Sequence, residues 1–415
     1  MILPRLAGRL RLALADPEFL ASARGLSVRV AFSVEGARVD LSVADGAPSV
    51  ESGETGRADI AVTATAAAWE EILSARPPRG ASSFTAWQLA NPAVSLEGDP
   101  LRIAQARPAL ERLVEILRTP EALAAPPVRR DVRQIRGRYV PASAAGADAD
   151  LYVEEAGSGT PVLCLHTAGA DSRQYGALLA DTDLAARFRL VAFDLPFHGR
   201  TMPPPDWDGG AYRLDAATYL AWVVAALERV VGEPAILVGC SMGAAIALVA
   251  AAERPDLLRG VLALEPPLRS PGRRNPYLAH AAVSGGAHNA AYVRGLMSPL
   301  GPVGHRRRAA WIYAQGGPGV YTGDLAFYSE EFDGHVTGPR IDTGRVPVTL
   351  MTGEYDYSAT VADGEALAAL IPGSRFVPMP GLGHFPMSEH PDLFRTHVVP
   401  ELDRMAGEPG DQSPR

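Results

Sequence analysis

The stretch AILVGCSMGAAIALVAAAE, residues 235–253, decides the fold. Its first part is a short, continuous apolar run, which is typical of a strand buried in a parallel sheet. Its last part, from Met242 to about Glu253, is rich in alanine and predicts a helix. Between them lies Gly239-Cys240-Ser241-Met242-Gly243, whose glycines allow a sharp turn and a close approach of helix and strand. Such a strand–turn–helix context holds a serine hydroxyl clear of the sheet, where a base can reach it.

A serine hydroxyl becomes a nucleophile beside a base, and that base needs an acid to orient it. Asp356 follows the predicted buried strand VPVTLMTG (346–353), at the end where ligand-facing groups of parallel sheets collect. His384 stands in the glycine-rich stretch 381–385, a loop from which its ring can reach over the sheet edge. Serine, aspartate and histidine follow one another in the order expected for such a turn. We therefore predict Ser241, Asp356 and His384 as catalytic residues.

Other residues compete for these roles. Glu354 and Asp363 are the alternative carboxylates, and His390 is better explained as the start of a helix than as a base. Asp356 could serve only as a helix N-cap, and Ser241 only as part of a tight turn. The complete and correctly ordered set of groups favours the catalytic interpretation.

A tetrahedral intermediate at this serine would need two N–H donors for its oxyanion. The first is expected from Met242, which follows the nucleophile at a helix N-terminus. The second is expected from the loop after the predicted strand PVLCLH (161–166), with Ala168 as the first choice and Thr167 as the alternative. His166 is better explained as a structural residue of this loop than as a proton carrier.

A chain of 415 residues is long enough for two or three domains. Strands alternate with helices from about residue 133, which predicts a mostly parallel sheet covered on both faces. We assign residues 133–408 to this α/β domain, and within it interpret 267–345, rich in glycine, proline, arginine and aromatic residues, as a cap inserted over the strand ends. A loosely helical surface excursion is the alternative. Residues 123–132 are predicted as a linker, and 409–415 as a disordered tail.

Residues 1–122 are predicted to form a smaller α+β domain that precedes the α/β domain. Apolar and polar residues alternate over 28–33 and again over 39–43, on either side of the Glu35-Gly36 turn, which predicts a β-hairpin. A further strand and two helices are predicted over 58–64, 66–73 and 100–118.

The composition argues against several classes of function. The chain has 39 basic and 47 acidic residues and a net charge of −8 at pH 7, a poor match for nucleic acid or an anionic membrane surface. No window approaches 18 uninterrupted apolar residues, so we expect no membrane span. Two cysteines, Cys164 and Cys240, cannot form a disulfide framework or a four-thiolate zinc site, and no histidines have metal-ligand spacing. We expect no metal, no cofactor and a cytoplasmic location, and leave homo-oligomerisation open.

Together these residues resemble the α/β-hydrolase superfamily over about 133–405. The matching segments are LCLHTAGADS (163–172), FDLPFHGRT (193–201), GCSMG (239–243), GEYD (353–356) and GLGHFPMSEHP (381–391). The resemblance implies the α/β-hydrolase fold, with Ser241 as nucleophile, Asp356 as acid and His384 as base. One departure is Thr167, which stands where the family often has glycine and adds a hydroxyl beside the oxyanion pocket. A serine nucleophile argues against the haloalkane dehalogenase and epoxide hydrolase branches, which use aspartate.

The first 122 residues resemble the sterol-carrier-protein-like domain. The resemblance rests on the strand pair near 26–44, on ADIAVTA (58–64) followed by the helix of Trp69, and on VSLEGDPLRIAQ (94–105) before a final helix. Such domains enclose an apolar tunnel for lipids or acyl chains. The alternative is a generic α+β accessory domain used for dimerisation.

The leading hypothesis is a serine hydrolase that cleaves an ester or thioester of a hydrophobic acyl or aryl substrate through an acyl-enzyme. Aromatic residues of the cap would line its pocket, and Trp311, Tyr313 and Tyr328 are the predicted substrate-binding residues. The same triad can serve a carbon–carbon bond hydrolase, a lyase or an acyltransferase, because a fold does not fix a reaction. From another class, the alternative is a lipid-binding or transfer protein with an idle hydrolase module.

Overall fold

The computed structural model describes residues 2–53, 56–118 and 130–407. They form two compact units. The first comprises Met1–Pro126 and Pro276–Ala314, and the second comprises Pro127–Asn275 and Gln315–Arg415. Most of the predicted linker, residues 123–129, and the predicted tail, 409–415, lie outside the described residues.

Strands and helices are numbered in chain order. The strands are β1 (Val28–Val34), β2 (Ala37–Ala44), β3 (Ala47–Ser52), β4 (Ile60–Ala64), β5 (Val94–Gly98), β6 (Arg136–Ala144), β7 (Ala147–Ala156), β8 (Thr160–Leu165), β9 (Phe188–Phe193), β10 (Ala235–Cys240), β11 (Leu258–Leu264), β12 (Val348–Gly353) and β13 (Arg375–Met379). The helices are α1 (Ile2–Leu12), α2 (Pro17–Ser22), α3 (Ala66–Ile72), α4 (Phe84–Ala90), α5 (Pro100–Leu117), α6 (Gly176–Leu179), α7 (Thr182–Ala185), α8 (Ala216–Ala226), α9 (Met242–Glu253), α10 (Gly285–Gly295), α11 (Val303–Ala314), α12 (Val320–Leu325), α13 (Gly334–Thr337), α14 (Val361–Leu370), α15 (Pro386–Glu389) and α16 (Pro391–Ala406).

The first unit contains a five-stranded sheet in the order β3-β2-β1-β4-β5. The predicted hairpin is confirmed, because β1 and β2 pair antiparallel with Phe32 opposite Val39, whereas β1 and β4 run parallel. Trp69 of α3 is fully buried and meets the rings of Phe32 and Trp87 edge-to-face, with ring centroids 6.1 Å apart in each pair. Each such pair contributes about 0.5–1.5 kcal/mol beyond the burial of apolar area.

Helices α10 and α11 belong to the first unit, although the sequence suggested a single cap over 267–345. Glu115 of α5 is buried and forms ion pairs with Arg294 of α10 and Arg306 of α11. The hydroxyl of Ser83 donates to the carbonyl of Gly295 at 2.6 Å. Because a buried carboxylate needs cationic partners, these contacts hold Pro276–Ala314 with the first unit, and only the flanking parts of the expected cap belong to the second.

The second unit contains an eight-stranded sheet in the order β13-β12-β11-β10-β8-β9-β7-β6. Strands β8 to β13 pair parallel with one another, and at one edge β7 pairs antiparallel with both β9 and β6. Every residue of β10 and β12 is buried, as expected for strands covered on both faces. The carboxyl ends of β8, β10, β11 and β12 therefore lie along one edge of the sheet.

Cys164 of β8 and Cys240 of β10 lie on neighbouring strands, and both thiols are free and fully buried. Burial raises the pKa of both thiols, so they remain protonated, and Cys240 Sγ donates to the carbonyl of His384 at 3.3 Å. Within the described ranges, no helix is both long and apolar enough to cross a membrane.

Candidate active site

Ser241 lies at the tight turn between β10 and α9. Its backbone has a φ of 55° and a ψ of −113°, a conformation that residues with a side chain rarely adopt. A Cβ on Gly239 would collide with the carbonyl of Gly243, and a Cβ on Gly243 would collide with the carbonyl of Leu165. Both glycines are therefore needed for the close approach of strand and helix, as the sequence predicts.

The structure brings together the three side chains that the sequence predicts as catalytic. His384 Nε2 lies 2.9 Å from Ser241 Oγ, and His384 Nδ1 lies 2.6 Å from Asp356 Oδ2. All three residues are buried, with relative exposures of 5% or less. Because the carboxylate can only accept, Nδ1 carries the proton and Nε2 is left to accept from the serine hydroxyl.

Asp356 is held as a carboxylate by the loop that carries it. Its Oδ1 accepts the N–H groups of Ser358 and Ala359 at 2.6 and 3.0 Å. Burial would raise the pKa of Asp356, but the facing His384 and these N–H groups hold it below its ordinary value. A charged Asp356 keeps the His384 ring in the orientation that serves Ser241.

The competing residues have other partners. Glu354 accepts the N–H of Gly381 at 2.9 Å, and Asp363 forms a capping box with Thr360 at the start of α14. His390 caps α16, as the sequence predicts.

Glu265, at the end of β11, is a member of the site that the sequence analysis missed. It is fully buried, has a φ of 49°, and accepts the N–H of Gly353 at 2.9 and 3.1 Å. Its carboxyl group lies beside that of Asp356. Burial and the charge of Asp356 raise the pKa of Glu265 well above its ordinary value, which favours a protonated Glu265 beside the Asp356 carboxylate. An acidic residue directly after a buried apolar strand is the signal that could have found it.

Glu389 was missed as well, and it fixes the loop on both sides of His384. It is fully buried and accepts the N–H of Gly383 at 2.5 Å and that of Phe385 at 3.4 Å. The His384 ring is thus positioned by a carboxylate anchored in α15.

Residues 167–170 form a loop after β8 that we call the oxyanion loop, after the role that the sequence predicts for it. The N–H of Thr167 donates to the side chain of Gln174 at 3.0 Å, and that of Gly169 donates to Asp324 at 2.7 Å. Thr167, the alternative donor in the sequence analysis, is therefore already engaged. Between them, Ala168 N–H has no acceptor among the described residues. Met242 is the first residue of α9, where N–H groups lack partners within the helix.

His166 has the structural role that the sequence suggests, and Asp194 also holds backbone groups of a loop. His166 Nδ1 donates to the carbonyl of Thr167 at 2.9 Å, and its Nε2 accepts the N–H of Leu195 at 3.3 Å. Burial lowers the pKa of His166 to about 4, which keeps the ring neutral. Asp194 accepts the N–H groups of Ser172 and Arg200 at 2.7 and 2.8 Å.

The three predicted substrate-binding residues have separate locations. Tyr328 lies in a π-helical turn, Ala326–Glu331, and its buried hydroxyl lies 3.4 Å from Ser358 Oγ and close enough to Ser241 to affect the pKa of the tyrosine. Burial raises the pKa of Tyr328, so the hydroxyl keeps its proton. Trp311 and Tyr313 lie in α11 of the first unit, where Trp311 is 64% exposed and Tyr313 is buried. Of the three, Tyr328 is the residue close to the predicted nucleophile.

No group of three histidine, cysteine, aspartate or glutamate side chains is arranged to hold a metal ion in the part of the chain that the structure describes.

Comparisons with known proteins identify the family and the fold. A family model described as "Alpha/beta hydrolase family" matches residues 162–396, more than half of the chain. The protein named 2-(acetamidomethylene)succinate hydrolase of Mesorhizobium japonicum (strain LMG 29417 / CECT 9101 / MAFF 303099) is 36% identical over 115 residues. That match covers 28% of this chain and 38% of the relative's length.

Two solved structures are similar in fold. A thermophilic esterase from Thermogutta terrifontis has a TM-score of 0.56 at 20% identity, and the match covers 65% of this chain and 99% of that one. The enol-lactonase from Burkholderia xenovorans LB400 has a TM-score of 0.55 at 21% identity, covering 63% of this chain and 99% of that one. These likenesses confirm the predicted α/β-hydrolase fold.

Proposed function

Because the chain belongs to the alpha/beta hydrolase family, we propose that this enzyme is a serine hydrolase that cleaves an ester or thioester of a hydrophobic acyl or aryl substrate. The observation that carries the proposal is the unbroken chain of hydrogen bonds from Asp356 through His384 to Ser241 at a strained turn. Strain of this kind persists where the surrounding structure enforces it, and it is concentrated at active sites.

The reaction begins when Ser241 Oγ attacks the acyl carbonyl and forms a new carbon–oxygen bond. His384 Nε2 takes the hydroxyl proton, and Asp356 stabilises the resulting imidazolium without taking a proton itself. The carbonyl electron pair moves onto the oxygen, and the N–H groups of Met242 and Ala168 stabilise this oxyanion. Removal of one such donor lowers kcat by about 10²–10³-fold.

The intermediate collapses when His384 returns the proton to the departing alcohol or thiol. The acyl group then remains on Ser241 as an ester. Water enters and bonds to the acyl carbon while His384 takes one of its protons, giving a second intermediate at the same oxyanion site. The bond from the acyl carbon to Ser241 Oγ then breaks, His384 returns the proton to that oxygen, and the carboxylic acid leaves. Burial of the three side chains supports this scheme, since excluding water strengthens each of these interactions.

The similar proteins support hydrolysis as the reaction type, because their names are those of a hydrolase, an esterase and an enol-lactonase. A carbon–carbon bond hydrolase, a lyase or an acyltransferase could use the same residues, and identification of the products separates these reactions. A lipid-binding protein with an idle hydrolase module is opposed by the complete set of hydrogen bonds around Ser241.

The proposed function is tested with p-nitrophenyl esters of increasing chain length and with acyl-CoA thioesters, comparing wild type with Ser241→Ala. Loss of the nucleophile should lower kcat by a factor on the order of 10⁶. The matched control is Ser143→Ala, because the hydroxyl of Ser143 hydrogen-bonds to Asp148 in the exposed β6–β7 hairpin. Turnover that persists in Ser241→Ala would refute the proposal.

For the first unit, the proposal is an accessory domain that resembles sterol-carrier-protein-like domains and carries the acyl substrate. A cavity of about 600 Å³ between α2, α5, α10 and α11 supports it. Its lining is mostly proline, alanine and Trp311, with the charged Glu18 and Arg307 among the polar residues. A fatty acid bound there should quench Trp311 fluorescence, and a quench of equal size in Trp311→Phe would refute this role.

A further inference from the structure

Asp324 is one of the buried acidic residues of the second unit that neither the triad nor the oxyanion donors explain. Asp324 of α12 is fully buried, and it faces the oxyanion loop rather than Ser241 or His384. We propose that Asp324 is a positioning residue that holds the oxyanion loop, so that Ala168 N–H meets the oxygen of the reacting carbonyl. This inference rests on the proposed function and adds a residue to its machinery.

Asp324 receives three hydrogen bonds from three separate segments of the chain. Its Oδ2 accepts from Gly169 N–H at 2.7 Å and from His198 Nε2 at 2.9 Å. Its Oδ1 accepts from the Tyr212 hydroxyl at 2.9 Å. The carboxylate therefore ties together the oxyanion loop, the loop after β9 and the segment before α8.

The partner of Asp324 is an imidazolium. His198 Nδ1 faces the carbonyl of Pro196 at 3.0 Å and Nε2 faces Asp324, so both ring nitrogens must carry protons. Burial alone would lower the pKa of His198, but the charge of Asp324 raises it above its ordinary value. A buried ion pair is weak evidence for stability, since apolar residues of similar volume often serve as well. Its presence beside the oxyanion loop points instead to control of position.

Helix α12, which carries Asp324, also contacts Gly169 through the side chain of Tyr321. Gly169 has a φ of 68°, and a Cβ placed on it would come within 2.6 Å of the ring of Tyr321. Tyr321 and Asp324 are three residues apart in α12, hence on one face of the helix, and both contact Gly169. On the other side of Ala168, Gln174 accepts the N–H of Thr167. The Ala168 peptide is thereby fixed from both ends, and its N–H remains available to a substrate oxygen.

The test is Asp324→Asn, which keeps the volume of the side chain and removes its charge. Complete loss of an oxyanion donor lowers kcat about 10²–10³-fold, so a misplaced donor should lower kcat about 10–100-fold. KM should change by less than about threefold, because the oxyanion forms only in the transition state. The matched control is Asp333→Asn, since Asp333 pairs with His335 at 3.0 Å in an exposed Asp–His pair at the start of α13. That control should keep the kcat of wild type.

The kcat values are expressed per active site titrated with a fluorophosphonate, so that a loss of folded protein does not count as a loss of rate. Tyr212→Phe is the second variant, because it removes one of the three hydrogen bonds and leaves the ion pair intact. It should lower kcat about threefold, which tests the proposal if Asp324→Asn does not fold.

A kcat within twofold of wild type in Asp324→Asn, or in Tyr212→Phe where the first variant fails to fold, would overturn the inference. The failure of the proposed function is a different result, because turnover would then persist in Ser241→Ala. Inactive Ser241→Ala together with a fully active Asp324→Asn would reject the positioning role alone.

Discussion

Three buried carboxylates of the second unit hold strand ends and loops, whereas Glu115 of the first unit joins helices. Glu265, Glu389 and Asp324 each accept an N–H at or after the carboxyl end of a parallel strand. In the first unit, the buried Glu115 lies among arginines and joins α5 to α10 and α11 through Arg294 and Arg306.

The nature of the partner explains the difference. A carboxylate that accepts backbone N–H groups near the site fixes the positions of neighbouring side chains and backbone donors. Its substitution should therefore change the catalytic rate. A carboxylate among guanidinium groups neutralises charge that would otherwise be buried without a partner, and it acts on stability. Substitutions of these carboxylates should therefore change the catalytic rate in the second unit and the free energy of unfolding in the first.

The largest effect is expected for Asp356→Asn. The amide cannot hold His384 with its proton on Nδ1, so kcat should fall about 10⁴-fold while the enzyme stays folded. The measurement is kcat per folded enzyme on the best p-nitrophenyl ester. Asp363→Asn is the control, because Asp363 is confined to the capping box of α14 and should leave kcat within about twofold of wild type. Equal losses in both variants would contradict the assignment of the acid.

In the first unit, Glu115→Gln should lower the free energy of unfolding by about 3–5 kcal/mol, because it leaves buried arginines without their counter-charge. The kcat per titrated active site should not change. Denaturant titration measures the first quantity and active-site titration the second. Glu70→Gln removes an exposed ion pair with Arg5 and should change stability by less than about 1 kcal/mol. A changed kcat per titrated active site in Glu115→Gln, without a loss in the free energy of unfolding, would contradict this distinction between the two units.

The two units should lose stability alike on acidification, because each contains a histidine whose pKa is lowered by burial. Burial lowers the pKa of His166 in the second unit and of His288 in the first to about 4. A histidine with a lowered folded pKa binds its proton more readily when unfolded, so its contribution is present above pH 6.5 and is lost as the pH falls to 4. At pH 4 each histidine lowers the free energy of unfolding by about 3 kcal/mol relative to neutral pH.

Denaturant titrations at pH 7 and pH 4 test this expectation. The His166→Gln variant should lose about 3 kcal/mol less than wild type between the two values. The exposed His335→Gln is the control and should follow wild type. If His166→Gln and wild type lost the same free energy of unfolding between pH 7 and pH 4, the result would contradict a buried, neutral His166 ring.

The smallest effect is expected for Tyr328→Phe. Its hydroxyl lies near Ser241, and loss of a polar interaction of about 1 kcal/mol corresponds to a fall in kcat/KM of about fivefold. Tyr313→Phe removes a buried tyrosine hydroxyl from the first unit and should leave kcat/KM unchanged. Equal changes of kcat/KM in the two variants would contradict an effect of the Tyr328 hydroxyl on the reaction at Ser241.

The predicted site residues come together because local sequence carries their signal. The turn around Ser241 needs two glycines in sequence, and parallel strands bring Asp356 and the His384 loop to the same sheet edge. The hairpin of β1 and β2 is equally local, since alternation and a short turn determine it.

The missed residues depend on contacts between distant segments. Asp324 and Gly169 are 155 residues apart, and neither segment has a pattern that reveals the other. The same holds for Arg294 and Glu115, 179 residues apart, whose ion pair groups α10 with the first unit. Such contacts are set by tertiary packing, which periodicity and motif spacing do not encode.

The central claim is tested most directly by trapping the acyl-enzyme. The enzyme is mixed with a p-nitrophenyl ester, quenched in acid within the first turnover, digested and analysed by mass spectrometry. The account predicts one added acyl mass on the peptide that contains Ser241, and none on the corresponding peptide of Ser241→Ala. An acyl mass on another residue, or full turnover in Ser241→Ala without any adduct, would contradict it.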